Sequence, residues 1–347
     1  MYFKKISAAI VLIGLASAGI FSYYIYSVML VPNTNFNSKE AYIFVATNAS
    51  FSDVKADLEP LLKDIESFEV LAKQKKYINN IKAGRFLISK GMTNNDIINS
   101  IRSRNLPIKI AFNNQHSLAE LANRISSQIE ANNSDLLRVF SDPEFLEANG
   151  FTNENALAMY LPNSYEFFWN TSATTFRSRM LKEYNRFWND KRLSKAKTID
   201  LMPLEVMALA AIVHEESKQV SEQDRIAGVY MNRLKDGWPL QADPTLKFAA
   251  YQLPMYSSTV IKRVLNKHKS IVSPYNTYMY KGLPPGLIAM PDLSAIDAVL
   301  NYESHSYYYF AANAEKPGFH RFSNTLSGHN KNARAYQSYL NRKGIKK

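Results

Sequence analysis

Among the acidic residues of this sequence, Glu216 has the surroundings of a proton donor. Pro203 suits the first turn of a helix, and Val206, Leu209, Ala210 and Val213 follow at the i, i+3, i+4, i+7 spacing of one apolar face. Glu216 comes seven positions after Leu209 and three after Val213, on that same face, while Glu215 points to the opposite side. A carboxyl that closes an apolar face at a helix C-terminus is partly desolvated and stands at the negative end of the helix dipole. Both effects favour the protonated form, which a general acid requires. The same geometry fits a glutamate that merely ends the buried face and turns out into water, so helical spacing leaves both readings open. His214-Glu215 also begins the zinc pattern H-E-x-x-H, but Lys218 stands where the second histidine is needed. No metal and no cofactor is expected.

The segments after this helix carry groups suited to a polar ligand. Ser221 with Asp224 predicts the cap of the next helix, with Ile226, Val229, Tyr230 and Leu234 as its apolar face and Gly237 as its stop. Then come Leu240-Gln-Ala-Asp-Pro-Thr245, Tyr275-Asn-Thr-Tyr278, Gly282-Leu-Pro-Pro-Gly286, His320-Arg-Phe322 and His329-Asn330. From these, Gln241, Tyr275, Asn276, Thr277, His320 and Asn330, together with Glu222, are the candidate substrate contacts, offering hydrogen bonds and flat faces to a sugar. Asp243 is a further candidate, although its place before Pro244 favours a helix cap over direct contact. His320 and His329 fit equally as pocket groups or as satisfied structural histidines. Arg233 fits a pair with Glu222 or Asp224 as well as it fits a substrate contact.

The rest of the chain has to position and locate these residues. Its 347 residues, 46% hydrophobic and 21% charged, are too apolar for disorder and too polar for a multi-span membrane protein. Lys and Arg exceed Asp and Glu by 42 − 30 = 12, spread along the chain, which suits an anionic surface and carries no nucleic-acid signature. Cysteine is absent, which excludes disulfides and thiolate chemistry. After Lys4 and Lys5 no charge appears until Lys39, and residues 6–31 are apolar for longer than a bilayer requires. This predicts a transmembrane helix with residues 1–5 in the cytoplasm, Tyr23, Tyr24 and Tyr26 near the outer interface, and everything from Pro32 outside. A signal peptide cleaved near Ala16-Ser-Ala18 is the competing reading, disfavoured because the apolar run continues past it.

The exported part alternates strands and helices, an α+β class. Asn33–Ser38 reads as a short tether. Within residues 40–105, strands at Ala41–Ala46 and Gly84–Ile88 enclose helices at Val54–Leu62, capped by Ser52, and at Phe68–Lys76. Thr93 caps a third helix, Asp96–Ser103, which completes a small β-α-α-β-α module. Residues 106–347 form a larger, mainly helical domain with short strands: a connecting part over 106–200 and a core over 201–347. In the connecting part a strand at Ile108–Phe112 precedes a Ser117–Glu120 capping box, and residues 160–169 are aromatic and turn-rich. In the core, strand candidates fall at Tyr275–Tyr280 and Ser306–Ala311.

From about Gly84 onward the chain resembles the endolytic murein transglycosylase family, MltG or YceG-like. The resemblance is densest between Ala208 and Asn330. It is carried in order by I-V-x-E-E-S, E-x-D-R…N-R-L, L-Q-A-D-P-T, Y-N-T-Y, G-L-P-P-G-x-I-x-x-P and H-x-F…H-N. In the family the catalytic glutamate lies six residues before the glutamate of E-x-D, here Glu222, so the resemblance assigns catalysis to Glu216. It implies non-hydrolytic cleavage of the MurNAc–GlcNAc β-1,4 bond of nascent peptidoglycan to leave 1,6-anhydro ends, which limits strand length. It also implies a LysM-like fold for the small module, peptidoglycan and the cytoplasmic membrane as partners, and peptidoglycan synthases as neighbours. His214 stands where many members carry an acidic residue, and the composition of residues 253–269 is peculiar to this chain. Two alternatives remain: a hydrolytic muramidase using Asp243 or Glu222 as second carboxylate, and a wall-binding scaffold without catalysis.

Overall fold

The computed structural model describes residues 2–256, 259–261 and 264–343, so the 253–269 stretch lies partly outside the described residues. It contains two compact units. The first comprises residues up to Ile110 with Gln128–Ala131 and Tyr165–Ser172, and the second comprises Ala111–Ser127, Asn132–Ser164 and Ala173 onward.

The first unit opens with helix α1 (Tyr2–Leu30), long and apolar enough to cross a membrane, and the one such helix among the described residues. Its side chains are exposed until Val28, which is buried against the module that follows. That module has strand β1 (Glu40–Val45), helices α2 (Phe51–Leu58) and α3 (Ile65–Gln74), strand β2 (Gly84–Ser89) and helix α4 (Asn94–Ser103). β1 and β2 pair antiparallel from Glu40↔Ser89 to Val45↔Gly84, giving the expected β-α-α-β-α order. Ile43, Phe86 and Ile88 meet Val54, Leu58, Phe68, Ile97 and Ile101 in one apolar core. α2 starts three residues earlier than expected and is capped two residues earlier, by Ser50 and not Ser52: Ser50 and Asp53 form a reciprocal capping box. Thr93 and Asp96 do the same for α4.

The segment expected to be a tether is instead folded into the module. Asn33 and Thr34 are buried, and the Asn33 amide donates to the Asp64 carbonyl and to Asn94 Oδ1, both at 2.7 Å. Asn94 in turn donates to the Val28 carbonyl at 2.9 Å, satisfying one of the acceptors a helix end leaves free. The last turn of α1 is thereby fixed to the module by a polar knot, where composition alone suggests slack chain.

Strand β3 (Pro107–Phe112) pairs with strand β4 (Asn163–Phe168), which occupies the region read as turns. Between them lie helices α5 (Leu118–Ser126), α6 (Asn133–Phe140) and α7 (Pro143–Ala148). The Ser117 hydroxyl caps α5 by accepting from Glu120 N–H, but the Glu120 carboxylate reaches back to His116 N–H rather than to Ser117. Helices α8 (Ala173–Phe187) and α9 (Asp190–Thr198) lead to the core of the second unit.

Helix α10 (Pro203–Glu216) is the centre of that core. Every residue from Val206 to His214 is buried, so the helix is enclosed rather than amphipathic, with α11 (Val220–Lys235), α12 (Asp243–Tyr251) and, after the short α13 (Asn266–Lys269), α14 (Leu293–Leu300) packed on it. Gly228 allows α11 its close approach to the segment after α14, since a Cβ there would lie 2.3 Å from the Glu303 carbonyl oxygen. Strands β5 (Tyr309–Ala312) and β6 (His320–Ser323) form an antiparallel hairpin, and α15 (Leu326–Arg342) packs on it. Tyr275–Tyr280 is not a strand but a chain of turns.

Candidate active site

Glu216 is the last residue of α10, where the enclosed helix emerges. Its carboxyl opens on a cleft of about 550 Å³. α10 and α11 contribute Glu216, Tyr230 and Arg233, the next loop and α12 contribute Gln241 and Asp243, and Tyr278 comes from the turn-rich loop. The β5–β6 hairpin and α15 close it with Tyr309, Phe310, His320 and His329. Burial is the main reason that the Glu216 carboxyl is pushed up to about 7. The Asp243 charge adds to the rise, while a hydrogen bond from Tyr230 and the charges of Lys247 and Arg233 oppose it. The Tyr230 hydroxyl donates to Glu216 Oε1 at 2.8 Å, so the proton of the neutral acid belongs on the other oxygen. Burial and the neighbouring Glu216 hold the Tyr230 phenol far above its ordinary value, and it stays a donor.

The helix caps around the cleft differ from expectation. α11 begins at Val220 with no side-chain cap, so Ser221 and Asp224 do not cap it. Asp243 is likewise not a cap, because α12 is capped at Ala242 without a side-chain bond and Asp243 is its first residue. The freed Asp243 carboxylate faces the cleft and accepts from the Tyr278 hydroxyl at 2.7 Å. Arg233 pairs with neither Glu222 nor Asp224. Its guanidinium donates to the carbonyls of Tyr308 and Leu240, tying α11 to the residue just before β5 and to the loop carrying Gln241.

The remaining candidates divide between cleft and interior. Gln241 lines the cleft with φ of 50°, a left-handed conformation fixed by its N–H bond to the Thr277 carbonyl. Thr277 itself is buried, its hydroxyl bonded to Ala242 N–H and to the Thr245 hydroxyl. Asn276 is fully buried, its amide donating to the Lys269 and Ile271 carbonyls. These two shape the loop from inside and present no free polar group to a ligand, contrary to the contact role expected of them. Tyr275 packs at a tilt against Phe248 with ring centroids 4.6 Å apart and lines a separate cavity of about 710 Å³ with Leu287 and Pro285. Asn330 is exposed on α15 outside the cleft lining, while His329 lines it and stacks on Tyr309. Glu222 is buried beneath the cleft wall and holds His320 from behind.

Tyr230 and Tyr278 are the groups that sequence reading passes over. Tyr230 scores as one of four apolar-face residues of α11, and only the fold of α11 against α10 brings its hydroxyl to Glu216 fourteen positions away. Tyr278 closes the Y-N-T-Y motif but acquires a role only when Asp243 is found uncapped beside it. Among the described residues no three His, Asp or Glu side chains group as metal ligands.

Fold and site together define a class: an α+β protein with one protonatable carboxyl at the end of an enclosed helix, facing a cleft of tyrosines, histidines and amides. The chain belongs to the YceG-like family, whose profile matches residues 43–335. It is 28% identical over 320 residues to the endolytic murein transglycosylase of Bacillus subtilis, covering 87% of this chain and 86% of that protein. A protein of the same name from Streptococcus pneumoniae is 25% identical over 361 residues, covering 94% of this chain but 64% of that longer relative. The crystal structure of a yceG-like protein from Listeria monocytogenes has a TM-score of 0.57 to this chain at 26% identity, covering 85% of this chain and 99% of that one.

Proposed function

We propose that this protein is an endolytic peptidoglycan lytic transglycosylase that cleaves the MurNAc–GlcNAc β-1,4 bond with Glu216 as its one acid/base. The observation that carries the reading is the Glu216 carboxyl, pushed up to about 7 at the head of a polar, aromatic cleft. A group so placed is protonated often enough near neutrality to donate and is a competent base once it has done so. The relatives' names support the substrate.

In the proposed reaction Glu216 gives its proton to the bridging oxygen as the C1–O bond breaks. The carboxylate then takes the proton of the muramic acid 6-hydroxyl while O6 bonds to C1, which leaves a 1,6-anhydro end and returns Glu216 to its acid form. The nucleophile is part of the substrate and already near C1, so no second carboxylate is needed to activate water. Tyr230 steadies the carboxylate between the two steps by donating to Oε1.

α1 anchors the protein in the cytoplasmic membrane with Lys4 and Lys5 inside and everything from Pro32 outside, where nascent strands and their synthases are found. The β-α-α-β-α module is a LysM-like glycan-binding element, a reading its strand pairing and helix order support.

Asp243 favours one second reading. It shares the cleft with Glu216, so a hydrolytic muramidase with Asp243 activating water fits the same walls. Full-length protein incubated with uncrosslinked glycan strands, with the new ends identified by mass spectrometry, separates the two. Anhydro ends support the transglycosylase and reducing ends the muramidase. Strands left whole leave only a binding scaffold, and strands cut equally well by Glu216→Gln remove Glu216 as the acid.

A further inference from the structure

Glu222 is 4% exposed, and the proton chemistry assigned to Glu216 does not use it. Its Oε1 accepts from the Ser217 hydroxyl at 2.7 Å and lies 2.7 Å from His320 Nδ1, and its Oε2 accepts from the His320 backbone N–H at 3.0 Å. An ionised carboxylate has only acceptors to offer, so all three partners must be donors. Ser217 agrees, because its oxygen already accepts from Gln219 N–H at 3.1 Å and its own proton is free to face Glu222. The proton of the imidazole is therefore held on Nδ1, and in the neutral ring Nε2 carries a lone pair.

The ring is held in place as well as in tautomer. His320 opens β6 on the cleft wall, its side chain 15% exposed, and packs edge-on against Phe310 with centroids 5.1 Å apart. Phe310 in turn meets Tyr230, the partner of Glu216, at 5.8 Å. Glu222 takes the Nδ1 edge of the ring, and Nε2 lies on the edge away from it, with no hydrogen-bond partner among the described residues. Ser217 directly follows Glu216, so the one buried carboxylate ties the end of the acid's helix to the strand that carries His320.

We propose that His320 contacts the substrate directly, with Nε2 accepting a hydrogen bond from a sugar hydroxyl of the strand held against Glu216. Glu222 is the positioning residue that fixes the tautomer and plane of the ring. This rests on the reading of the cleft as a glycan site.

Three substitutions, read by kinetics and by nitrogen-15 spectra, test it on the full-length protein in detergent. His320→Asn keeps an amide where Nδ1 was, so it retains the bond to Glu222 and loses only Nε2. It is expected to melt as the wild type does and to lower kcat/KM on uncrosslinked glycan strands by about tenfold, the worth of one hydrogen bond. His320→Gln, whose amide reaches the Nε2 position, recovers part of that loss. Nitrogen-15 spectra of histidine-labelled protein without substrate are expected to show His320 as the Nδ1–H tautomer, with the preference lost in Glu222→Gln. A His320→Asn variant that folds and cuts at the wild-type rate, or an Nε2–H tautomer with Glu222 intact, overturns the proposal while the glycan reading stands. Wild-type protein that leaves the strands whole while showing the Nδ1–H tautomer removes the glycan reading, and the substrate contact with it.

Discussion

Glu216 and Glu222 stand six positions apart, one half-buried at the end of α10 and the other buried in the first turn of α11. They are held in opposite ways. Glu222 has three donors on its two oxygens, and every one of them ties backbone or side chain of the cleft wall together. Glu216 has one donor, the Tyr230 hydroxyl, and its other oxygen is left to the cleft. Desolvation without full compensation is why its carboxyl is pushed up to about 7. A buried acid becomes a proton carrier when the protein withholds hydrogen bonds from it, and a structural clamp when the protein supplies them.

The sharpest way to break this contrast is Glu216→Gln. Loss of the general acid is expected to slow strand cleavage by about a thousandfold or more. The same change should stabilise the protein at high pH. A carboxyl pushed up to about 7 from its ordinary value of 4.5 holds its proton more tightly in the folded chain than in the unfolded one. The contribution of Glu216 to folding stability is therefore greatest below about pH 4.5 and falls as pH rises through about 7, by roughly 3 kcal/mol in all. Glutamine does not ionise, so the variant is expected to melt higher than wild type at pH 8 and the same at pH 4. Equal melting curves at both pH values would falsify the account of an uncompensated acid.

Glu222→Gln should show the reverse pattern. A glutamine there offers one oxygen to three donors and turns an N–H₂ toward at least one of them, which costs about 3 kcal/mol at any pH where Glu222 is charged. Cleavage should slow by about ten- to a hundredfold because the cleft wall loosens. Thermal melts of the two variants side by side at pH 8 are the direct comparison: one up, the other down.

How much of this contrast is legible without the fold depends on how local the cause is. Helical spacing alone sets Glu216 on the apolar face and Glu215 off it, because the period of 3.6 is a property of a single segment. The order of elements in the small module is legible for the same reason. The cap of its first helix slips by two residues because Ser50 and Ser52 are equally good caps by type, and only the reciprocal bond with Asp53 decides. The partners of the two glutamates are not legible. Tyr230 counts as an apolar-face residue until α11 folds back on α10, and Asp243 looks like a cap until Ala242 is seen to take that place. Asn276 and Thr277 mislead in the opposite direction: polar loop residues suggest a ligand, yet Asn276 donates to its own loop's carbonyls and the Thr277 hydroxyl is taken by Ala242 N–H and Thr245. The aromatic hairpin that walls the cleft leaves a weak trace because each strand is only four residues long.

Tyr230→Phe tests the one hydrogen bond Glu216 keeps. Removing the donor takes away an influence that lowers the carboxyl's affinity for its proton, so the Glu216 titration moves to higher pH. The protonated form is the active one at the first step, so the fall of kcat/KM on the alkaline side should move upward with it. The maximal rate should drop by about tenfold, because the carboxylate formed after proton donation loses its stabilising hydroxyl. A pH–rate profile carries both readouts, and a drop in rate with no movement of the alkaline limb would show that Tyr230 supports packing alone.

Asp243→Asn is expected to have the smallest effect and to say the most about the reaction. The Asp243 charge favours the protonated form of Glu216, so removing it should draw the alkaline limb toward lower pH, opposite to Tyr230→Phe. The asparagine oxygen can still accept from the Tyr278 hydroxyl, which keeps that wall in place. If the 6-hydroxyl of the substrate is the nucleophile, no residue has to activate water, and cleavage below the limb should fall by only about two- to fivefold, in line with one weakened polar contact. If water is the nucleophile, Asp243 is the carboxylate available in the cleft to activate it, because Glu222 is fully engaged in the wall. Its loss should then stop cleavage as thoroughly as the loss of Glu216 does. One variant, assayed at pH 5.5 and pH 8 with the strand ends identified each time, therefore separates a lone acid from a pair.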